Sequence, residues 1–335
     1  MALFGRELGI DLGTLNTLIA EGQEVVLHEP TMAAIDVEGP RIVEVGLAAR
    51  EMYGRVSDVI EVMRPLRDGV IADFEVTHKM LGLFVERVCG RARLFKPHVM
   101  ITVPFGVTSV ERRAVHEAAL KAGSGEAHLI QEPLAAAIGV GLPIATPSGN
   151  MVVNLGAGVT QAAVVSMAGI VTAESVRIGG LRLDDAIVSY VRKKYGLIIG
   201  PQTAETAKIR IGAAVPQDDD QTMEIQGQDQ VSGLPRMITL STTEVVEALQ
   251  QTLNLQSAAI RVVLEHTPPE LASDIIDRGM VICGGGALLR GIDKWITHET
   301  GVVAYLAEEP VQAAAIGAER ALGMYDLIKR NLPPV

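Results

Sequence analysis

Residues 8–19 (LGIDLGTLNTLI) and residues 151–164 (MVVNLGAGVTQAAV) share one pattern, and this repetition is the strongest indication of fold in the chain. Each segment indicates a strand, then a turn that contains Gly and Thr, then a second strand. A repeated unit of this kind predicts two similar domains, each of which presents its turn to one ligand. The copies differ near the end of the first strand, where one has Asp11 and the other has Asn154.

Composition predicts an α/β protein of two or three domains. The chain has 335 residues, of which 48% are hydrophobic but only 3% aromatic, and its 34 glycines suit tight turns between strands and helices. The net charge of −11 argues against a nucleic-acid-binding protein, since phosphate contacts require clustered Lys and Arg. Cys89 and Cys283 lie far apart without a metal-ligand pattern, which favours a reducing cytoplasm.

The turn after Asp11 has the residue types of a phosphate site. Backbone N–H groups of such a turn can converge on phosphate oxygens, and an aspartate beside it can hold Mg²⁺ through the water shell of the ion. One copy would be explained better as an ordinary tight turn, but two copies favour phosphate binding. The second turn contains Gly156, Ala157 and Gly158, and Asn154 before it carries no charge.

Three further positions are candidates for the same site, and each has a plainer explanation. Glu132 at a helix start either complements the helix dipole or orients an attacking water, and spacing alone favours the first. Glu205 and Lys208 share a helix face, either as a surface pair or as a clamp on a ribose and base. Residues 284–286 are three glycines after a predicted buried strand, and they permit close approach of a ligand. A turn from a strand to a helix would also need glycine, but three in a row exceed that need.

Helix boundaries are predicted from spacing and capping residues. The long helices are expected at residues 74–91, 109–122, 241–267 and 310–330. Ser109 is predicted to cap the second of them, because a serine hydroxyl can accept a hydrogen bond from an unpaired N–H of the first turn. The last helix is predicted to be amphipathic and continuous.

In this order along the chain, the motifs resemble the MreB family of bacterial actins, within the superfamily of actin, heat-shock chaperone and sugar-kinase ATPases. The matching motifs are Asp11-Leu12-Gly13-Thr14, Glu132-Pro133, residues 154–158 (NLGAG), Glu205 with Lys208, and residues 284–286. Further similar stretches are residues 64–74 (RPLRDGVIADF), 110–119 (VERRAVHEAA), 130–143, 193–200 (KKYGLIIG), 267–279 (TPPELASDIIDRG) and 284–291 (GGGALLRG). The resemblance extends over essentially the whole chain.

The resemblance implies an α/β, actin-like ATPase fold. Two duplicated ribonuclease H-like large subdomains would flank a nucleotide cleft, and two small subdomains would lie above it. The first large subdomain would comprise residues 1–31, 64–141 and 311–335, and residues 32–63 would form its small subdomain. The second would comprise residues 142–181 and 242–310, and residues 182–241 would form its small subdomain.

The resemblance also implies an ATP site with Mg²⁺ bound through water. Asp11 would hold the ion and Glu132 would place the attacking water. Asn154 would be the third catalytic residue. The remaining candidate binding residues are Gly13, Thr14, Leu15, Asn16, Gly156, Ala157 and Gly158 at the phosphates, and Glu205, Lys208, Gly284, Gly285, Gly286 and Ala287 at the adenosine.

Members of this family polymerise head to tail into protofilaments that pair. The filaments are cytoplasmic and lie peripherally on the inner face of the cell membrane, where they organise synthesis of the cell wall by the elongation machinery. The resemblance implies the same self-assembly and location here, without a nucleic-acid partner. Two alternatives stay open: an accessory paralogue that modulates another MreB filament, and a small-molecule kinase, which would need an insertion that forms a substrate pocket.

Three places depart from the family pattern, and all of them lose negative charge. Asn154 stands where typical members have Asp, Gln161 ends a turn where they have Glu, and Leu181-Arg182 replaces an Asp-Glu pair. Because phosphoryl transfer depends on the placement of metal and water, we expect nucleotide binding with slow or absent hydrolysis. Arg182, if it faces the cleft, would offset phosphate charge.

A membrane contact is predicted at residues 91–96 (RARLFK), where family members carry an apolar insertion loop. Leu94 and Phe95 would enter the lipid boundary. Arg91, Arg93 and Lys96 would meet anionic head groups, at about 1 kcal/mol per basic residue near the surface. The alternative is that Leu94 and Phe95 pack at a helix end.

Overall fold

The computed structural model describes residues 5–39, 41–91 and 95–334. Its strands are β1 (Glu7–Leu12), β2 (Asn16–Glu21), β3 (Glu24–Pro30), β4 (Ala33–Asp36), β5 (Ile42–Val45), β6 (Ile60–Met63), β7 (Leu66–Arg67), β8 (Val70–Ile71), β9 (His98–Val103), β10 (Glu126–Gln131), β11 (Asn150–Leu155), β12 (Thr160–Ser166), β13 (Gly169–Val176), β14 (Leu197–Ile198), β15 (Thr222–Asp229), β16 (Pro235–Ser241), β17 (Met280–Cys283) and β18 (Ala304–Leu306).

The helices lie between groups of these strands and after the last one. They are α1 (Leu47–Met52), α2 (Phe74–Cys89), α3 (Ser109–Lys121), α4 (Glu132–Gly139), α5 (Gly180–Tyr195), α6 (Pro201–Ile211), α7 (Thr242–Glu265), α8 (Pro269–Arg278), α9 (Ile292–Thr300), α10 (Ala313–Gly323) and α11 (Tyr325–Ile328), with a 3-10 helix at Gly285–Leu288. No helix in the described ranges combines the length and the apolar character that crossing a membrane requires.

Two five-stranded sheets with the same strand order form the centre of the described structure. The order is β3-β2-β1-β9-β10 in the first sheet and β13-β12-β11-β17-β18 in the second. In each sheet three consecutive strands pair antiparallel, and the first of these pairs in parallel with a later strand, which a further parallel strand extends. The duplication predicted from the two repeats is therefore present in the topology.

Two three-stranded sheets lie outside this duplicated centre. The first has the order β5-β4-β6 and contacts α1, and the second has the order β14-β15-β16 and contacts α5 and α6 through its strands. They fall within residues 32–63 and 182–241, where the small subdomains are expected. The subdomain boundaries themselves stay a prediction.

One core contains side chains of both large sheets and surrounds α4 and α10. Met100 of β9 and Val152 of β11 are fully buried there. The two helices approach closely at Gly317, where an added Cβ atom would clash with the carbonyl oxygen of Ala135. Because α4 begins at Glu132, directly after β10, this packing fixes the Glu132 carboxylate at the junction of the two sheets.

Two helix predictions are wrong in detail. Thr108, not Ser109, caps α3, because its side chain accepts from the N–H of Glu111 while the Glu111 side chain accepts from the N–H of Thr108. The helix expected over residues 310–330 begins at Ala313 and is interrupted at Met324. The interruption follows Gly323, and glycine has a low helix propensity.

Candidate functional site

The turns of the two repeats contain the same hydrogen bond. The N–H of Gly13 donates to the carbonyl oxygen of Asn16 at 3.1 Å, and the N–H of Gly156 donates to that of Val159 at 2.9 Å. The first turn joins β1 to β2, and the second joins β11 to β12. Both turns line one cleft, so the fold brings the two repeats together.

The two turns approach each other so closely that a side chain at position 158 would force a neighbour to move. A Cβ atom on Gly158 would lie 2.5 Å from Oγ1 of Thr14 and 3.0 Å from Cα of Asp68. The same Oγ1 accepts a hydrogen bond from the N–H of Gly69 at 2.8 Å. Rotation of the Thr14 side chain away from an added methyl group would therefore break that hydrogen bond.

The cleft has a volume of about 410 Å³, within the usual range for small-molecule sites. Its walls include the candidates Asp11, Gly13, Thr14, Leu15, Asn16, Glu132, Asn154, Gly156, Ala157, Gly158, Glu205, Lys208, Gly284, Gly285 and Gly286. Ala287 lies elsewhere, since it is 2% exposed and packs in the core of the second sheet. Leu288, Leu289 and Arg290, which follow it, line the cleft instead.

Asp11 lies near the carboxyl end of β1, beside the parallel strand β9. Its Oδ1 accepts a hydrogen bond from Oγ1 of Thr102 at 2.8 Å, and its Oδ2 has no hydrogen-bond partner within the ranges that the structure describes. Burial raises the pKa of Asp11 to about 6, against the lowering effect of the Thr102 hydrogen bond. The site is therefore electrostatically unfavourable for this carboxylate until a positive charge compensates it.

Glu132 accepts hydrogen bonds at both of its carboxylate oxygens. Asn154 Nδ2 donates to Oε1 at 2.6 Å, and Gln161 Nε2 donates to Oε2. Burial, together with the negative charge of Asp11, raises the pKa of Glu132 to about 8, although the two amide hydrogen bonds act in the opposite direction. The second repeat thus directs two neutral donors at Glu132.

The orientation of both amides follows from their other partners. The backbone N–H of Phe105 donates to Oε1 of Gln161 at 2.7 Å, which turns Nε2 of Gln161 toward Glu132. Burial raises the pKa of the Cys283 thiol, and its Sγ lies 3.6 Å from both Oδ1 of Asn154 and the carbonyl oxygen of Val153, which share its one proton. Because the oxygen of each amide faces a donor, its NH₂ group is presented to the carboxylate.

Elsewhere on the cleft wall, Glu205 and Lys208 bind different partners. Lys208 Nζ lies 2.8 Å from Oδ1 of Asp184 and donates to the carbonyl oxygen of Gly180 at 3.0 Å. Glu205 Oε2 lies 3.1 Å from Nη2 of Arg50. The explanation of Glu205 and Lys208 as a surface pair is therefore wrong. Burial raises the pKa of Asp184 to about 6, and Lys208 lowers it.

Arg182 is not among the residues that line the cleft, whereas Leu181 is. Arg182 lines a neighbouring cavity of about 450 Å³, which also contacts Ala157 and Gly158. Its Nη1 lies 3.6 Å from Oδ2 of Asp185. Because this cavity shares Ala157, Gly158, Leu181, Asp184 and Glu205 with the cleft, the role expected for Arg182 stays a prediction.

The predicted membrane segment is only partly described. Phe95 is 64% exposed, so it does not pack at a helix end, and α2 has already ended at Cys89. Arg91 and Lys96 are also exposed. Leu94 and Arg93 lie outside the described residues.

Sequence analysis does not identify Thr102, Asp184 or Arg50. Thr102 could have been found, because the carboxyl ends of parallel neighbouring strands meet at one edge of a sheet. Asp184 lies one turn into α5 and could have been sought as an acid for Lys208. The contact of Arg50 with Glu205 joins residues 155 positions apart, and no local pattern predicts it.

Comparison with known proteins agrees with this architecture. The family described as MreB/Mbl protein matches residues 5–330. The cell shape-determining protein MreB of Escherichia coli (strain K12) is 48% identical over 331 residues, which cover 97% of this chain and 95% of that protein. The cell shape-determining protein Mbl of Bacillus subtilis (strain 168) is 46% identical over 332 residues, which cover 98% of this chain and 100% of that protein.

Solved structures confirm the predicted actin-like fold. The crystal structure of MreB5 of Spiroplasma citri bound to ADP superimposes with a TM-score of 0.90 at 33% identity, covering 97% of this chain and 98% of that one. The MamK double helical filament has a TM-score of 0.79 at 19% identity, covering 94% of this chain and 98% of that one, a likeness of fold alone. The identity with MreB and Mbl along nearly the full length places this chain in the MreB/Mbl family of bacterial actin homologues.

Proposed function

We propose that this chain binds ATP in the cleft and polymerises into actin-like filaments on the inner membrane surface, where they organise cell shape and cell-wall synthesis. One observation carries the nucleotide proposal: the turns of two equivalent repeats meet at Thr14 and Gly158 on the wall of a single 410 Å³ cleft. Turns of this kind present backbone N–H groups to anions. The related MreB5 structures are bound to ADP and to AMPPNP, which supports the same ligand class here.

The donor set of the first repeat fits a hydrated Mg²⁺ ion. Asp11 keeps one oxygen without a protein hydrogen bond in the described ranges, and its raised pKa means that a nearby cation would stabilise its charge. No three His, Cys, Asp or Glu side chains in the described part of the chain converge to bind a metal directly. Such an ion would be held by Asp11 through water and by the nucleotide, which agrees with the reluctance of Mg²⁺ to dehydrate. When bound, it would neutralise charge on the phosphates.

We assign the adenosine to the part of the cleft wall outside the two turns. Glu205 and Lys208 of α6 line the cleft, as do residues 284–286 after β17. Lys208 is held by Asp184 and Gly180, so its ammonium is already positioned. The glycines allow close contact with a planar base, while Leu288 adds apolar surface.

We further propose that hydrolysis is slow because the second repeat occupies Glu132. Both Glu132 oxygens accept amide hydrogen bonds, which direct the carboxylate toward the second repeat and leave one lone pair on each oxygen for an attacking water. The family pattern has acids at positions 154 and 161. Their carboxylates would repel Glu132, whereas the amides of Asn154 and Gln161 donate hydrogen bonds to it. Nucleotide would then act mainly as a bound ligand of the filament subunit, which also favours an accessory role beside another MreB.

Purified protein tests these assignments together. We expect ATP binding by calorimetry, filaments with ATP by electron microscopy, and phosphate release at least about tenfold slower than that of Escherichia coli MreB, since removal of one catalytic proton-transfer group costs a hundredfold or more. A protein that binds no ATP would refute the nucleotide site. Phosphate release as fast as that of MreB would refute the occupied Glu132. Turnover that depends on an added sugar acceptor, without filaments, would favour the kinase.

The membrane contact has its own test. Exposed Phe95, beside Arg91 and Lys96, supports a peripheral contact with anionic lipid. We expect the variant L94A/F95A to lose most of its co-sedimentation with vesicles that contain anionic lipid. The matched control is Val231→Ala, which removes a 96% exposed apolar side chain elsewhere on the surface. Undiminished binding of L94A/F95A would refute the contact.

A further inference from the structure

We propose that Arg50 is a positioning residue for the nucleotide cleft. From α1, beside the sheet β5-β4-β6, its guanidinium holds the Glu205 carboxylate of α6 in place and thereby slows nucleotide release. This inference rests on the proposed ATP site. Arg50 lines the neighbouring cavity, which shares Glu205 with the cleft, and it acts through its ion pair with Glu205.

The ion pair between Arg50 and Glu205 joins two separate parts of the fold. Arg50 lies in α1, which contacts the sheet β5-β4-β6, and Glu205 lies in α6, which contacts β15 of the other small sheet. Arg50 Nη2 is 3.1 Å from Glu205 Oε2. The Glu205 side chain is 17% exposed and that of Arg50 is 42% exposed, so the pair lies at the edge of the protein interior.

The charges around Glu205 explain why the partner comes from across the cleft. Asp184 and Glu205 are close enough to repel each other. Lys208, the nearest cation on the same helix as Glu205, is 2.8 Å from Asp184 and also donates to Gly180. Lys208 therefore pairs with Asp184, and the charge of Glu205 is balanced by Arg50.

This arrangement links closure of the cleft to the binding of a nucleotide beside Glu205. Separation of the two small sheets would break the ion pair of Arg50 and leave Glu205 beside Asp184 without its cation. The closed arrangement is thereby favoured, and a nucleotide that contacts Glu205 is released more slowly. Because the pair is partly exposed, its effect is modest and depends on ionic strength.

Stopped-flow release of a fluorescent ATP analogue from the full chain tests the proposal. In low salt, R50Q should release the analogue about two- to fivefold faster than the natural protein, the range expected for a partly exposed ion pair. R50K keeps the charge and should restore most of the slow release. The matched control is R41Q, which removes the arginine directly before β5; its ion-pair partner, Asp36, is only five residues away in sequence.

Two further measurements separate positioning from a general structural effect. In about 1 M salt, where the screening length is about 3 Å, the natural protein and R50Q should release the analogue at similar rates. In the background E205Q, R50Q should add no further acceleration, since Arg50 acts through Glu205.

Each contrary result overturns the proposal. Unchanged release from R50Q in low salt, equal acceleration in R41Q, or additive effects of R50Q and E205Q would each show that Arg50 does not act through Glu205. Failure of the natural protein to bind the analogue would instead refute the ATP site on which the inference depends.

Discussion

The two repeats have the same backbone and opposite electrostatic roles. In the first, Asp11 offers a carboxylate whose only described hydrogen-bond partner is Thr102. In the second, Asn154 and Gln161 direct amide donors at Glu132. The shared turn geometry accounts for a cleft with two similar walls, whereas the side chains at the strand ends decide whether a wall attracts a cation or holds a neighbouring carboxylate. Duplication of a fold therefore does not require duplication of its chemistry.

The strongest effect of this asymmetry should appear in the pH dependence of stability. Glu132 has a pKa of about 8 and Asp11 a pKa of about 6 in the folded protein, both above the values expected in the unfolded chain. The folded state thus binds more protons, so the free energy of unfolding should fall as pH rises through this window. Between about pH 5 and pH 8 the loss from Glu132 should be about 3 kcal/mol, measured by urea unfolding without nucleotide.

The variant E132Q provides the control for that curve. It cannot titrate, so the curve should flatten above about pH 7, where Asp11, with a pKa of about 6, has lost nearly all of its proton. A free energy of unfolding that rises with pH in the natural protein would contradict the assignment of raised pKa values to this pair.

The variant D11N gives the first repeat the uncharged amide that the second repeat has at Asn154. It should weaken the binding of nucleotide in the presence of Mg²⁺. D11N keeps an oxygen that can accept the hydrogen bond of Thr102 but removes the negative charge that attracts a hydrated cation. We expect ATP affinity in Mg²⁺ to fall about 10- to 100-fold, the usual effect of losing a group that acts on a metal through its ligands. Calorimetry with EDTA is the control, and an equal loss without Mg²⁺ would show that Asp11 acts on the fold instead.

Both repeats and most of the cleft wall were predictable from the sequence, because each of these features depends on residues that are close together in the chain. The strand and turn pattern is contained within 12 to 14 residues, and the glycines at 284–286 follow their strand directly. The contact of Asn154 with Glu132 was not predictable in the same way, since it depends on how α4 packs between the sheets. Arg50 and Glu205 meet only after two small sheets have been placed. The start of α3 was predicted wrongly because two adjacent residues, Thr108 and Ser109, can each cap a helix N-terminus.

Converting the second repeat to the chemistry of the first should accelerate hydrolysis. In N154D the new carboxylate cannot donate to Glu132, so Oε1 of Glu132 has both lone pairs available to water, and a second negative charge is added near the ion. We expect phosphate release in Mg²⁺ to rise about tenfold, a modest part of what a positioned base can contribute. The double variant N154D/E132Q should lose this gain. An unchanged rate in N154D would mean that the amide of Asn154 does not limit hydrolysis.

The smallest expected effect tests how closely the two turns meet. G158A places a methyl group 2.5 Å from Oγ1 of Thr14, and the side chain must give up its hydrogen bond from Gly69 to make room. We expect a loss of about 1 kcal/mol in the free energy of unfolding, at the low end for an overpacked site. A methyl group added at Gly285 would meet no heavy atom within 4 Å, so G285A should change stability by less than about 0.5 kcal/mol. Equal unfolding free energies for the two variants would mean that the turns are further apart in solution, and that each repeat contacts the phosphates without the other.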